Sequence, residues 1–145
     1  MGPEEMTEME IKIDGPEPIR MTPGSAGYDL RAQADFVLES TCTHTVNCCL
    51  KLEIPEGYVG LICPRSGLAS QGITVLNAPG VIDSDYRGEV KVILANLSAH
   101  RHQFLGGDRV AQLLIVPITA VTWVHCTNLS KTTRGSRGFG STGGD

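Results

Sequence analysis

Residues 45–54, Thr45-Val46-Asn47-Cys48-Cys49-Leu50-Lys51-Leu52-Glu53-Ile54, carry a clear period of two. Successive side chains of a strand point to opposite sides, so Val46, Cys48, Leu50, Leu52 and Ile54 fall on one face. Thr45, Asn47, Cys49, Lys51 and Glu53 fall on the other. That is the signature of a half-buried strand. Pro55-Glu56-Gly57 turns the chain, and residues 58–63 return as a second strand.

Working outward, strands are expected at residues 11–13, 25–32, 90–97, 109–116 and 121–124. Residues 25–32 read as a strand with its polar side chains facing out. Residues 109–116 are apolar enough for burial on both faces, with Gln112 the polar exception. A buried amide needs partners. Pro16, Pro18 and Pro23 forbid a helix near the start. One short helix fits residues 63–72, with Ser66 as its N-cap and Gly72 as its stop. Gly106-Gly107-Asp108 signals a turn.

A chain of 145 residues with 17 glycines, 8 prolines and 5% aromatics suits one domain of short strands and turns. The expected fold is all-β, a jelly-roll-like sandwich or barrel with one short helix. Residues 1–10 are acidic and aperiodic and read as a disordered N-terminus. Residues 11–130 form the β-domain. Residues 131–145 are a Gly-rich, mobile C-terminal arm.

The net charge of −4 argues against direct nucleic-acid binding. The sequence has no membrane-spanning run. The cysteines, Cys42, Cys48, Cys49, Cys63 and Cys126, are odd in number and lack a C-x-x-C pair. They read as reduced thiols in a cytoplasmic or other intracellular compartment. His44, His100, His102 and His125 lack zinc spacing to them. His100 and His102 read as a solvated pair.

Several stretches suit an anionic ligand. Arg65-Ser66 at a helix start is a local recipe for phosphate, although an ordinary capped turn fits equally. Gln112 and the Arg/Ser/Thr tail suit phosphate oxygens. Phe139 suits stacking on a base. The stretch Gly80-Val81-Ile82-Asp83-Ser84-Asp85-Tyr86 combines a turn, a partly desolvated carboxylate and an aromatic ring. It reads as a pocket wall or a plain hairpin. Asp83 is suited to taking a proton from water. A nucleoside polyphosphate hydrolase would use all of these.

Five segments resemble, in order, the motifs of the trimeric dUTP pyrophosphatases (deoxyuridine 5'-triphosphate nucleotidohydrolases). They are residues 26–32 (AGYDLRA), 64–69 (PRSGLA), 80–90 (GVIDSDYRGEV), 107–114 (GDRVAQLL) and 134–143 (RGSRGFGSTG). The resemblance implies a jelly-roll-like β-clip subunit in a homotrimer, with active sites between subunits. It implies hydrolysis of dUTP to dUMP and pyrophosphate, which limits uracil in DNA and supplies dUMP for thymidylate synthesis. It also implies Mg²⁺ on the triphosphate.

Carried over by position, Asp83 resembles the general base. Tyr86 resembles the ring beneath the deoxyribose. Asn77 and the backbone of Gly80, Val81, Ile82 and Asp83 resemble the uracil readers. Arg65, Ser66, Gly67, Gln112 and Lys91 resemble phosphate contacts. Asp29 resembles the acid that meets the metal through water. Arg134, Phe139, Gly140, Ser141 and Thr142 resemble the arm's contacts, with the arm closing over the site. The family's tail reads R-G-x-G-G-F-G, and Arg137 departs from it.

Ala78-Pro79-Gly80-Val81 has the residues of a type II turn. Such a turn splays its strands and would open a slot for a uracil edge. Competing readings are a dCTP deaminase-like member of the same fold, a non-catalytic nucleotide-binding regulator and a structural jelly-roll module.

Overall fold

The computed structural model describes residues 8–140. Ten strands and one helix follow in the order β1 (Lys12–Asp14), β2 (Tyr28–Arg31), β3 (Phe36–Leu38), β4 (Thr43–Glu53), β5 (Tyr58–Cys63), α1 (Ser66–Ala69), β6 (Ile73–Val75), β7 (Gly80–Ile82), β8 (Glu89–Asn96), β9 (His102–Phe104) and β10 (Arg109–Pro117). One sheet has the order β1-β4-β8-β6, a second β2-β10-β5-β7, and β3 pairs with β9. Every strand pair is antiparallel. The all-β reading with one short helix therefore holds.

The alternation in β4 translates directly into burial. Val46, Cys48, Leu50, Leu52 and Ile54 are all buried, while Thr45, Cys49, Lys51 and Glu53 are exposed. They meet Val90, Val92 and Leu94 of β8, and Leu30, Ile62, Val110 and Leu113 of the second sheet, in one apolar core. Registers Asn47↔Lys91 and Lys51↔Glu89 leave residues 48–50 opposite Val90 alone. This bulge places Cys49 at φ 57, a left-handed conformation rare outside glycine.

Other expectations needed correcting. Residues 121–124 form no strand, and Trp123 and Val124 are more than four-fifths exposed. A strand needs an edge to pair with, and among the described residues none reaches this segment. Strand β10 buries Val110, Ala111 and Leu113, while Gln112, Leu114, Ile115 and Val116 are only half-buried. Ser66 is the first helical residue, and Arg65 is the N-cap, in extended backbone and without a side-chain cap bond. His102 is half-buried rather than solvated. Its ring lies 4.5 Å from Phe104, in a stack that continues through Phe36 to His44. The pair β3–β9 and strand β6 were not anticipated. Among the described residues, no helix is long and apolar enough to cross a membrane.

Candidate functional site

Consecutive strands β7 and β8 do not pair with each other. Strand β7 is the edge of the second sheet and pairs with β5, while β8 lies inside the first sheet between β4 and β6. The two arms of the hairpin are thus pulled apart. A cavity of about 160 Å³ opens between them, and Asn77, Gly80, Val81, Ile82, Tyr86 and Lys91 all line it. The free edge of β7 leaves alternate backbone N–H and C=O groups unpaired by any strand among the described residues.

The turn that leads into β7 differs from the expected type. The Ala78–Pro79 bond is cis, and Gly80 is strand backbone opposite Ile62 rather than at positive φ. A type II turn requires positive φ at that position. The splay comes instead from the two arms joining different sheets. Gly80 is buried, and a Cβ there would stand 3.2 Å from Ile62 Cβ and 3.6 Å from Asn77 Nδ2.

Tyr86 sits on the loop between β7 and β8. Its hydroxyl donates to the Glu89 carbonyl at 2.8 Å. Its ring rests against Gly88, where a Cβ would come within 2.6 Å of Tyr86 Cζ. The ring is 44% exposed. Asp83 is exposed as well, not partly desolvated as expected. It lines a broad adjoining groove of about 780 Å³ with Glu53, Asp85 and Arg87. The neighbouring acids Glu53, Glu56 and Asp85 raise the negative potential there but exclude no water.

The second cluster is built on the other side of β5. In register, Asp29 of β2 faces Gln112 of β10, which faces Cys63 of β5. Asp29 is only 9% exposed, which corrects the outward-facing reading of residues 25–32. Its Oδ1 is 3.7 Å from Arg65 Nε and its Oδ2 3.7 Å from Arg109 Nη1. Both separations exceed a hydrogen bond. Among the described residues Oδ2 has no hydrogen-bond partner.

Gln112 donates from Nε2 to the Pro64 carbonyl at 2.9 Å, which supplies one of the partners its amide needs. Gly27 makes room for it. A Cβ at 27 would overlap Gln112 Oε1 and stand 3.0 Å from Gln112 Cβ and Cδ. Ser66 and Gly67 lie exposed just beyond, at the start of α1. Two guanidinium groups against one carboxylate leave this ledge net positive, suited to an anion. Sequence reading missed Arg109. Its position in residues 107–114 was visible, but its closeness to Asp29 depends on the β2–β10 register.

Ledge and slot share no lining residue. Asn77, Tyr86 and Lys91 line one place, and Asp29, Arg65 and Gln112 cluster in another. The predicted arm residues join neither. Arg134 Nε donates to the Arg137 carbonyl at 2.8 Å, and Arg137 Nε returns the bond to the Arg134 carbonyl at 3.0 Å. Arg137 thus ties a tight turn in the arm. Phe139 is fully exposed and Gly140 has φ 75. Ser141 and Thr142 lie outside the described residues.

Among the described residues no group of three or more His, Cys, Asp or Glu is placed to hold a metal. Asp29 fits a divalent cation only indirectly. Its orphan Oδ2 can accept from a metal-bound water. A lone carboxylate flanked by two arginines cannot by itself retain a bare divalent ion.

The family profile described as dUTPase matches residues 14–143. The chain is 47% identical over 131 residues to the deoxyuridine 5'-triphosphate nucleotidohydrolase of Anaplasma marginale, across 88% of this chain and 89% of that protein. It is 42% identical over 140 residues to the protein of the same name from Tropheryma whipplei, across 95% and 96% of the two. Among solved structures it resembles a Staphylococcus bacteriophage 80alpha dUTPase with dUPNHPP. That likeness has a TM-score of 0.80 at 27% identity, over 92% of this chain and 98% of that one.

Proposed function

Because this chain belongs to the dUTPase family, we propose that it hydrolyses dUTP to dUMP and pyrophosphate in active sites assembled between copies of itself. The observation that carries this reading is the open slot between β7 and β8, with Tyr86 beneath it and free strand backbone along its side. In this reading, backbone groups of Gly80, Val81 and Ile82, with Asn77, pair with the uracil edge. Cytosine would leave those buried groups mismatched, which discriminates strongly. Thymine and ribose are rejected by volume, the ribose 2′-hydroxyl against the Tyr86 ring.

The ledge takes the phosphates. Arg65, Gln112, Ser66 and Gly67 contact their oxygens, with Lys91 reaching in from the slot wall. Slot and ledge share no residue on one chain, and in this reading the slot of one copy works with the ledge of another. A homotrimer supplies that pairing. The same closure would strip water from Asp83, which is exposed on the single chain. The arm of residues 131–145 then covers the ligand, with Arg134, Ser141 and Thr142 on the terminal phosphates and Phe139 on the base beside Gly140. Mg²⁺, carried by the triphosphate and met through water by Asp29, supplies charge neutralisation. Asp83 accepts the proton of the water that attacks the α-phosphorus. Cytoplasmic action belongs to the same proposal.

Pyrophosphate release from dUTP tests the reading. Asp83→Asn should keep substrate binding while turnover falls by about 10²–10⁴-fold, the usual worth of a general base. Near-normal turnover would remove Asp83 from that role. Ammonia release from dCTP would instead favour the deaminase reading.

A further inference from the structure

Tyr86 is held by a chain of contacts that begins on another strand. Its hydroxyl bonds the Glu89 carbonyl at 2.8 Å. The Glu89 carboxylate accepts from Asn47 Nδ2 of β4 at 2.5 Å. The other end of that amide, Asn47 Oδ1, accepts the Cys49 N–H at 2.8 Å. Only one orientation of the amide satisfies both ends, because the carboxylate needs a donor and the N–H needs an acceptor. Asn47 therefore joins the β4 bulge to the residue that anchors the ring.

The bulge gives this link its reach. Residues 48–50 stand opposite Val90 alone, with Cys49 turned to φ 57. That turn aims the Cys49 N–H back at the Asn47 side chain. Asn47, half-buried, then lies directly opposite Lys91, with Glu89 two residues away on the same face of β8. Tyr86, Glu89 and Lys91 all line the cavity between β7 and β8. A second grip lies on the far side of the bulge, where Glu53 Oε1 is 3.5 Å from Arg87 Nε. Both partners there are about half exposed, so that grip is weak. The half-buried bond from Asn47 to a charged acceptor is the stronger of the two.

We propose that Asn47 is a positioning residue for sugar discrimination, acting through Glu89 to hold the Tyr86 ring under the ligand. The proposal rests on the reading of Tyr86 as the floor beneath the deoxyribose. Asn47 touches no substrate. A fixed ring excludes a 2′-hydroxyl, while a ring free to tilt admits it. The bulge thus serves specificity from outside the site.

Asn47→Asp cuts the link selectively. The aspartate still accepts the Cys49 N–H, but it faces Glu89 with a second carboxylate instead of a donor. Adding Glu89→Gln restores the bond with its polarity reversed. The measured quantity is the ratio of kcat/KM for dUTP to that for UTP, with Tyr86→Ala as the reference. Asn47→Asp should lower the ratio about tenfold, mainly by raising kcat/KM for UTP, and the double variant should recover it. Asn47→Ser, which keeps an acceptor for Cys49 but cannot reach Glu89, makes the same cut if Asn47→Asp does not fold. A ratio unchanged in the Asn47 variants, while Tyr86→Ala collapses it, overturns this inference alone. A ratio unchanged in Tyr86→Ala overturns the reading of the ring and this inference together. A lowered ratio that the double variant fails to rescue assigns Asn47 a merely structural role and also overturns the inference.

Discussion

Gly27→Ala separates the ledge's chemistry from its stability. A Cβ at position 27 would overlap Gln112 Oε1 and stand 3.0 Å from both Gln112 Cβ and Cδ. The far end of a glutamine is flexible, so the amide swings away, and the 3.0 Å approach to Gln112 Cβ leaves the backbone to give by only a few tenths of an ångström. Swinging away breaks its 2.9 Å bond to the Pro64 carbonyl. Gln112 is only half-buried, and water can meet the freed groups. The stability loss should therefore stay near the worth of one neutral hydrogen bond, about 1 kcal/mol, or roughly 2–4 °C in Tm for a chain of this size. The functional loss should be larger. A hydrogen bond to a phosphate is worth about 1.5–3 kcal/mol, which is roughly 10- to 150-fold in kcat/KM.

Initial rates of pyrophosphate release and thermal melts at one protein concentration, for Gly27→Ala, Gln112→Ala and the pair together, measure both terms. The double variant should match Gln112→Ala in rate, because most of the overlap disappears with the amide. Gly27→Ala within twofold of the parent rate, beside a large loss in Gln112→Ala, would refute the argument. So would rate losses that simply add, since residues acting through one contact must couple.

Two further outcomes follow from the β4 bulge. Burial, with the neighbouring Cys49 charge adding to it, pushes the Cys48 thiol from 9.0 up to about 12. The unfolded chain therefore loses this proton first as pH rises, so the stability Cys48 contributes is intact below pH 9 and lost between about 9 and 12. The slope in that window should be about 1.4 kcal/mol per pH unit. Urea melts of the parent and Cys48→Ala at pH 8 and pH 11 isolate it, and parallel pH dependences would contradict the assignment. Cys49→Gly should raise stability by about 0.5–1 kcal/mol, because relief of a left-handed non-glycine residue outweighs the entropy that glycine adds. A lower melting point in Cys49→Gly would show that its side chain stabilises the bulge.

The alternation of residues 45–54 made β4 readable because each side chain there reports its own burial. The bulge inside it was not readable, since Cys48 and Leu50 keep their inward period while the backbone between them turns to φ 57. Gln112 was legible as a buried amide in need of partners, but the Pro64 carbonyl that serves it lies 48 residues away. Asp29 looked like a surface acid because local pattern says nothing of the two arginines that the β2–β10 register and the start of α1 bring beside it. Residues 121–124 had strand chemistry but no edge to join. Asn77, Gly80, Val81, Ile82, Tyr86 and Lys91 were named from the sequence as site residues, while Ile62, Glu89 and Val90, which also line the slot, were not. The slot's opening was not legible, because it arises from two strands recruited into different sheets rather than from the turn between them.

Building each site from the slot of one copy and the ledge of another, as proposed, has a consequence for how the protein varies over generations. In the proposed assembly, a substitution in the slot meets the ledge of a sister molecule, not its own. One allele thus encodes both sides of an encounter that happens between separate molecules. In a cell with two alleles, a defect in Tyr86 on one product and a defect in Arg65 on the other would not fall together in every mixed assembly. Some sites would inherit two sound halves, and selection would see the blend rather than either allele alone.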